Sequence, residues 1–166
     1  MKLDLYVVDS KYIQHLQQAE IEARGFTRVP NMDYPDGKQK LSVGAVLEIC
    51  GLKYYVGLTS YKIQKSENML IKIKAKNPIV GSLRFNYMFP VPDCALRLKK
   101  IKDEQDVKYK NLLLNEYDFI KNNEKAIIQK AQEVYELVTK KTGSQTLLLN
   151  SCDFKVLEQA AKTYSG

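Results

Sequence analysis

The spacing of the apolar residues changes once along this chain, and that change constrains the fold more than any other feature. Before about residue 100 the apolar runs are short and end at glycine, proline or polar turns, which is typical of β-strands. A tight turn at Gly51 predicts a β-hairpin. Six strands are predicted in all, over residues 3–8, 41–50, 52–59, 69–75, 83–91 and 95–98.

Helical spacing occurs once among the strands and dominates after about Gln105. The early helix is predicted from an N-cap at Ser10 to about Ala23, and a loop is predicted over 25–40. Strands followed by helices predict a single α+β domain over residues 1–166. The later helices are predicted on an apolar face of Leu113, Leu114, Tyr117 and Ile120, then from about Glu124 to Lys141, and last from a cap at Ser151–Asp153.

Basic residues are concentrated in the part of the chain that is predicted to form the sheet. The net charge is +7 at pH 7. Residues 1–100 carry 16 basic and 9 acidic side chains, whereas residues 101–166 carry 10 of each. This one-sided excess favours a polyanionic partner, nucleic acid above all. A domain that is basic without such a partner is the alternative.

Composition excludes several classes of chain. Hydrophobic residues make up 45% and charged residues 27%, values of a globular domain rather than a disordered one. No apolar run approaches the roughly 20 residues of a membrane span, and the first residues lack a signal-peptide core. We therefore expect a cytoplasmic protein without membrane contact. Three cysteines, an odd number with no two close in sequence, predict reduced thiols.

Residue types on which many enzymes depend are scarce. His15 is the only histidine, which excludes a paired-histidine ribonuclease and a histidine-rich metal centre. Asp103, Glu104 and Asp106 are close in sequence, but they precede a predicted helix, where acidic residues interact favourably with the helix dipole. No Cys-x-x-Cys pair or phosphate-binding glycine loop is present. We therefore predict neither a metal nor a cofactor.

Two polar clusters combine hydroxyls with lysines. The first is Tyr34-Pro-Asp-Gly-Lys38 in the predicted loop, with Lys40 beside it. The second is Thr59-Ser60-Tyr61-Lys62, where a predicted strand ends. Hydroxyls donate hydrogen bonds to phosphate oxygens and an ammonium group supplies charge, so both clusters suit phosphate binding. Solvated turns are the alternative for each cluster taken alone.

Five segments form one ordered pattern along the chain. They are the opening strand with Ser10-Lys11-Tyr12-Ile13, Tyr34-x-x-x-Lys38, Val46-Leu47-Glu48-Ile49-x-Gly51-x-Lys53-Tyr54, Leu58-Thr59-Ser60-x-Lys62, and Leu83-x-Phe85-x-x-Met88-x-Pro90. In order and spacing they resemble the ToxN/AbiQ family, the endoribonuclease toxins of type III toxin–antitoxin systems, over nearly the whole chain. By position, the resemblance implies an active-site set of Tyr12, Tyr34, Lys38, Thr59, Ser60 and Lys62.

The resemblance also implies a fold, an activity and a partner. The implied fold is a compact, highly twisted antiparallel sheet or partial barrel wrapped by helices, similar to the Kid/MazF toxins. The implied activity is metal-independent cleavage of single-stranded cellular and phage RNA, with a role in phage defence. The implied partner is a small repetitive antitoxin RNA that folds as a pseudoknot, is processed by the toxin and inhibits it. Protein and RNA are expected to form a closed ring.

If RNA is cleaved without a metal ion or histidine, one economical route remains. The ribose 2′-hydroxyl attacks the adjacent phosphate, which gives 2′,3′-cyclic phosphate and 5′-hydroxyl ends. Such an enzyme must align the attacking and leaving groups and offset the charge on the phosphate. Lys38 would stabilise that charge or donate a proton, Thr59 and Ser60 would orient the phosphate, and Lys62 would add charge. The two tyrosines would position ribose or base.

Further basic side chains of this half of the chain are expected to bind RNA along its backbone. A non-catalytic RNA-binding module using the same basic groove, or a basic protein-interaction domain, stays open as an alternative function. Toxicity on expression separates the ribonuclease from both. The expected RNA-binding residues are Lys11, Lys40, Lys53, Lys65, Lys72, Lys74 and Arg84.

Overall fold

A computed structural model of the chain describes residues 2–73 and 78–165. Its centre is an antiparallel sheet in the order β4-β5-β3-β2-β1-β7, with β6 pairing with β3 as well. The sheet begins at β4 and ends at β7, so it curls without full closure, as the α+β prediction of a partial barrel requires. The strands are β1 Asp4–Val8, β2 Ser42–Ile49, β3 Leu52–Thr59, β4 Asn68–Lys72, β5 Ile79–Arg84, β6 Phe89–Pro90 and β7 Leu96–Leu98.

Helices cover this sheet and make up the C-terminal part of the chain, which confirms the predicted order of strands and helices. Helix α1 packs against α5, and α3 packs against β2. The short helix α4 is an addition to the predicted elements. No helix in the described ranges is long and apolar enough to cross a membrane. The helices are α1 Ser10–Arg24, α2 Val107–Asn122, α3 Glu124–Thr139, α4 Gln145–Leu149 and α5 Phe154–Thr163.

The predicted hairpin is present and consists of β2 and β3. Ile49 pairs with Leu52, so Cys50 and Gly51 form a two-residue turn. Both have positive φ, 50° and 83°, which is the backbone of the type I′ turns that match the twist of paired strands. The predicted hairpin is therefore confirmed, together with its turn.

The predicted strand over 83–91 is wrong as a single element. Strand β5 already begins at Ile79, and a 3₁₀ turn at residues 85–87 separates it from β6. Asn86 causes the break, because its carbonyl accepts the Cys152 amide at 2.9 Å and its side-chain amide donates to the Asn150 carbonyl at 2.8 Å. Backbone that bonds to the segment before α5 leaves the pairing with β3 over residues 85–87, and the pairing resumes at β6.

Two local predictions about helices need correction. The cap of α1 is Asp9, whose carboxylate accepts the Lys11 amide, whereas Ser10 is the first helical residue. On α2, Leu114 is 47% exposed, so it does not belong to the core face. The residues of α2 that are buried are Leu113, Glu116 and Ile120. A glutamate thus takes a place on the apolar face of this helix.

A polar network lies within the aromatic core between the sheet and α5. Glu158 of α5 accepts hydrogen bonds from the hydroxyls of Tyr54, at 2.7 Å, and Tyr135, at 2.6 Å. The Tyr135 ring stacks on Phe154 with centroids 5.5 Å apart. Because both buried hydroxyls donate to one carboxylate, this glutamate has a structural role in joining β3, α3 and α5.

Candidate active site

The first polar cluster is a folded turn. The Gly37 amide donates to the Tyr34 carbonyl at 3.0 Å, and the Tyr34 amide donates to the Lys38 carbonyl at 2.7 Å. Asp36 accepts the Lys38 amide at 3.0 Å. Gly37 has φ of 86°, a conformation that glycine adopts without steric cost. The chain between α1 and β2 therefore holds Tyr34 and Lys38 on one turn.

Contacts from two helices fix this turn. Ser10, at the start of α1, donates to the carboxylate of Asp33 at 3.0 Å. On the other side, Lys38 Nζ lies 3.8 Å from Asp106 Oδ2 and 5.8 Å from the ring centroid of Tyr109. Asp106 is also the N-cap of α2. The turn is thereby placed against the beginning of α2.

The second polar cluster is the end of β3, which is held by β5. Thr59 pairs with Ser82, and their hydroxyl oxygens are 3.3 Å apart. Thr59 Oγ1 also accepts the Tyr61 amide at 3.2 Å. At Gly81 an added Cβ would lie 2.1 Å from the Thr59 carbonyl oxygen, so only glycine allows this close approach. The backbone that carries Ser60 is thus fixed from both sides.

The two clusters meet at a cavity of about 70 Å³, which we call the strand-end cavity. Tyr34 reaches it from the turn, and Thr59 and Ser60 reach it from the end of β3. Helix α2 supplies a third side that the sequence clusters do not include. The full lining is Tyr34, Leu41, Leu58, Thr59, Ser60, Val80, Tyr109, Leu112, Leu113 and Glu116.

Glu116 is the functional candidate that sequence reasoning missed. It is 6% exposed, and burial raises the pKa of its carboxyl to about 7. Burial, and then the nearby Glu116, raises the pKa of Tyr34. The signal in the sequence is a glutamate between Leu113 and Ile120, at the spacing of one helix face.

The structure brings together three of the six predicted site residues in the strand-end cavity: Tyr34, Thr59 and Ser60. Lys38 does not line the cavity, but it is linked to it through the ring of Tyr109. Lys62 is exposed on the segment that follows β3. Both lysines are exposed to solvent, and neither lines the cavity.

Tyr12 does not line the strand-end cavity either. Its side chain has no exposed surface, and its hydroxyl donates to the Pro90 carbonyl. The ring packs edge-on against Tyr164 with centroids 4.9 Å apart. Tyr12 is a core residue between α1 and β6, so its position gives no support to the predicted contact with ribose or base.

The predicted RNA-binding residues lie on several elements. Lys40 Nζ is 5.4 Å from the ring centroid of Tyr34, which extends the basic surface beside the first cluster. Lys74 lies outside the described residues, as does the end of the strand predicted over 69–75. Exposed side chains are those of Lys11 on α1, Lys53 on β3, Lys65 before β4 and Lys72 at the end of β4.

Arg84 forms a stack with two tyrosines next to the second cluster. Its guanidinium lies over the rings of Tyr61, at 4.1 Å, and Tyr87, at 4.5 Å. Cation–π contacts of this kind hold an arginine in one orientation. Since Tyr61 directly follows Ser60, this stack places a half-buried cation and two aromatic rings, the residue types that bind single-stranded nucleic acid, close in sequence to the second cluster.

Within residues 2–73 and 78–165, no three His, Cys, Asp or Glu side chains are close enough together to hold a metal ion. The polar side chains that line the strand-end cavity are the hydroxyls of Tyr34, Thr59, Ser60 and Tyr109 and the carboxyl of Glu116, and the exposed Lys38 lies near Tyr109. Such groups can bind a phosphodiester, offset its charge and exchange protons.

Comparison with known proteins decides which family has this arrangement. The sequence model of the family described as Toxin ToxN, type III toxin–antitoxin system, matches residues 4–162. The chain belongs to the ToxN family. The resemblance drawn from the five sequence segments is thereby confirmed, and it extends over the C-terminal helices as well.

Relatives of this ToxN-family chain are similar to it over most of their length. An endoribonuclease ToxN from Bacillus thuringiensis subsp. kurstaki is 31% identical over 169 residues, which cover 96% of this chain and 82% of the relative. An endoribonuclease ToxN from Pectobacterium atrosepticum is 26% identical, covering 98% and 94%. An endoribonuclease AbiQ from Lactococcus lactis subsp. lactis is 27% identical, covering 99% and 91%.

Solved structures confirm the fold of this ToxN-family chain. One, from work on selective toxin inhibition by a non-coding RNA pseudoknot in type III systems, superposes with a TM-score of 0.85 at 26% identity. The superposition covers 99% of this chain and 98% of the chain in that structure. The structure of AbiQ, a lactococcal anti-phage endoribonuclease, superposes with a TM-score of 0.83 at 24% identity, covering 99% and 98%.

Proposed function

We propose that this protein is the endoribonuclease toxin of a type III toxin–antitoxin system and cleaves single-stranded RNA. The observation that carries the proposal is the strand-end cavity, where Tyr34, Thr59 and Ser60 meet with Lys38 near the rim. Membership of the ToxN family, with relatives named endoribonucleases, supports the same activity. The concentration of positive charge in residues 1–100 supports an RNA substrate.

In the proposed reaction the ribose 2′-hydroxyl attacks the adjacent phosphorus without a metal ion. The new bond joins the 2′-oxygen to phosphorus and the bond to the 5′-oxygen breaks, leaving 2′,3′-cyclic phosphate and 5′-hydroxyl ends. Lys38 offsets the negative charge that develops on the phosphate and donates a proton to the departing oxygen. Ser60 donates a hydrogen bond to a phosphate oxygen, and Lys62 adds charge.

Thr59 has a supporting role in this proposal. Its hydroxyl already accepts the Tyr61 amide and pairs with Ser82, so it holds the backbone of Ser60 in place. Tyr34 is 40% exposed and lines the cavity, which suits contact with a ribose or base at its entrance. Lys40 beside that ring supplies further attraction for the RNA backbone.

Cleavage of RNA in excess EDTA, with analysis of the product ends, tests this function. We expect full activity and 2′,3′-cyclic phosphate ends. Lys38→Ala should lower the cleavage rate by on the order of a hundredfold, because loss of one preorganised charge at a developing oxyanion typically has that effect. Lys140→Ala, on the neutral helical part, is the matched control. Loss of activity in EDTA, or a free 3′-hydroxyl on the products, contradicts the mechanism.

The proposed inhibitor is a small repetitive RNA that folds as a pseudoknot, that the toxin processes, and that assembles with it into a closed ring. Inhibition by a non-coding RNA pseudoknot in a structural neighbour supports an RNA partner. A repeated RNA can join each toxin to the next, and head-to-tail contacts close when the rotation allows. Ribonuclease treatment of the purified complex should reduce its size and release toxin activity; an unchanged size and continued inhibition contradict this assembly. A role in defence against phage, and a cytoplasmic location, stay predictions.

A non-catalytic RNA-binding module is the second candidate. The stack of Arg84 with Tyr61 and Tyr87, together with the exposed lysines, would bind RNA without any chemistry. Such a module would bind single-stranded RNA and leave it intact, so the cleavage assay separates the two candidates.

A further inference from the structure

Glu116 occupies a position where an apolar residue would avoid the free-energy cost of removing a carboxyl from water. It lies on the inward face of α2 with Leu113 one turn before and Ile120 one turn after, and both of these are completely or almost completely buried. A buried carboxyl stabilises a fold only when hydrogen bonds or opposite charges compensate for lost hydration. The contacts of Glu116 therefore decide whether it has a structural role.

Other buried glutamates of this chain have such compensation. Glu20 accepts the Thr27 hydroxyl and the Arg28 amide, both at 2.7 Å, and pairs with Arg24 at 3.0 Å. Glu158 accepts two tyrosine hydroxyls. Over residues 2–73 and 78–165, by contrast, the Glu116 carboxyl has neither a hydrogen-bond donor nor a cation within bonding distance, and this residue lines the strand-end cavity. A structural role of the kind that Glu20 and Glu158 have does not explain it.

Among the residues that line the cavity, Glu116 is the one whose charge changes near neutral pH. The other titratable residues of the lining are Tyr34 and Tyr109. Burial, followed by Tyr34 and Glu116, raises the pKa of Tyr109 to about 12, so this phenol stays neutral. The Nζ atoms of Lys38 and Lys99 lie 5.8 and 6.0 Å from the Tyr109 ring centroid. Lys99 is itself paired with Glu104 at 2.9 Å.

The size of the cavity limits what reaches Glu116. At about 70 Å³ it has room for a hydroxyl group or a bridging water, since liquid water occupies about 30 Å³ per molecule. A whole nucleotide does not fit. A ribose held at the entrance by Tyr34 and Ser60 can direct a hydroxyl inward, while its phosphate stays outside with the lysines.

We propose that Glu116 is the proton acceptor of the cleavage reaction, taking the proton of the ribose 2′-hydroxyl directly or through one water. This inference rests on the proposed endoribonuclease function. The carboxylate receives the proton as the 2′-oxygen bonds to phosphorus. The electron pair of the broken bond leaves with the 5′-oxygen, which takes a proton from Lys38. Proton exchange with solvent then restores the carboxylate and the ammonium group.

Single-turnover cleavage measured from pH 5 to pH 9 tests the assignment. The rate of the unchanged protein should rise tenfold per pH unit and level off above about pH 7, because only the ionised carboxyl accepts a proton. Glu116→Gln should lower the plateau rate by at least a hundredfold and remove this rise. Glu158→Gln is the matched control, since it removes another buried carboxyl away from the cavity, and it should keep the rise with pH.

The product ends and the Glu116 variants distinguish a failure of the proposed endoribonuclease function from a failure of the Glu116 assignment. If the unchanged protein leaves no 2′,3′-cyclic phosphate ends, the proposed function fails whatever Glu116 does. If it leaves such ends and a folded Glu116→Gln variant keeps the rate and the rise with pH, only the present assignment fails. Should the glutamine variant not fold, Glu116→Asp replaces it: a lowered rate that still rises with pH supports a proton acceptor, and a rate independent of pH overturns it.

Discussion

Replacing Glu116 with glutamine should change how the stability of the protein depends on pH. Burial raises the pKa of this carboxyl from its ordinary 4.5 to about 7 in the folded protein. The folded chain therefore binds a proton more tightly than the unfolded chain does. Its contribution to stability is fully present below about pH 4.5 and is lost as the pH rises through about 7.

The size of the effect follows from the shift of the pKa. A change of about 2.5 pKa units corresponds to about 3 kcal/mol, at 1.36 kcal/mol per unit. Glutamine has nearly the same shape but no charge, so the variant avoids this loss. Relative to the unchanged protein, Glu116→Gln should therefore gain about 3 kcal/mol of unfolding free energy between pH 4.5 and pH 8.5. For a chain of this length that is a relative rise in Tm of roughly 6–12 °C.

Denaturant unfolding at pH 4.5 and pH 8.5, followed by circular dichroism, measures the difference. Glu158→Gln provides the contrast, because its two buried tyrosine hydroxyls lose a charged acceptor. That variant should be less stable than the unchanged protein at pH 8.5, by about 1–3 kcal/mol. An equal effect of Glu116→Gln at both pH values would show that this carboxyl is well solvated, and would refute the reasoning.

Three other variants, two single and one double, test separate parts of the structure. Gly81→Ala should lower stability by about 1–3 kcal/mol and the cleavage rate by more than tenfold, because the new Cβ would lie 2.1 Å from the Thr59 carbonyl oxygen. The control Gly57→Ala, whose Cβ would meet Met32 Cε at 3.4 Å, should change both little. Equal effects of the two variants in unfolding and cleavage assays would contradict this reasoning. Tyr12→Phe should lower stability by about 1 kcal/mol, measured by denaturant unfolding, and leave cleavage unchanged; a folded variant without activity would return Tyr12 to the site. Replacing Lys53 and Lys72 together should weaken RNA binding and reduce the slope of log affinity against log salt by about 0.7 for each lost contact. Replacing Lys140 and Lys141 together should do neither. Equal slopes for the two double variants would argue against RNA binding by the strand-rich half.

Features that depend on neighbouring residues could be predicted from the sequence. The β2–β3 hairpin follows from Gly51, and the last helix begins where its cap predicts, with the Asp153 carboxylate accepting the Val156 amide. The two polar clusters were recognisable because hydroxyls and lysines stand together in each. Their meeting at one cavity followed from the family resemblance and not from their spacing.

Features that depend on distant partners could not be predicted from the sequence. The strand over 83–91 is interrupted because Asn86 bonds to residues more than 60 positions away. Tyr12 looks available at the start of a helix, yet Pro90 and Tyr164 bury it. Leu114, which was expected on the core face of α2, is exposed and Glu116 is buried, because the packing of α2, and not the hydropathy of single residues, decides which face turns inward.

The most direct test of the central claim, that this protein cleaves RNA by attack of a ribose 2′-hydroxyl, uses a single altered nucleotide. A cleavage position is first mapped on a single-stranded RNA, and the same RNA is then made with a 2′-deoxy nucleotide on the 5′ side of the scissile phosphate. Binding of the two RNAs should be nearly equal, since most of the affinity comes from phosphate contacts. We predict that cleavage at the mapped position is abolished in the deoxy RNA. Cleavage there at an unchanged rate would contradict the mechanism.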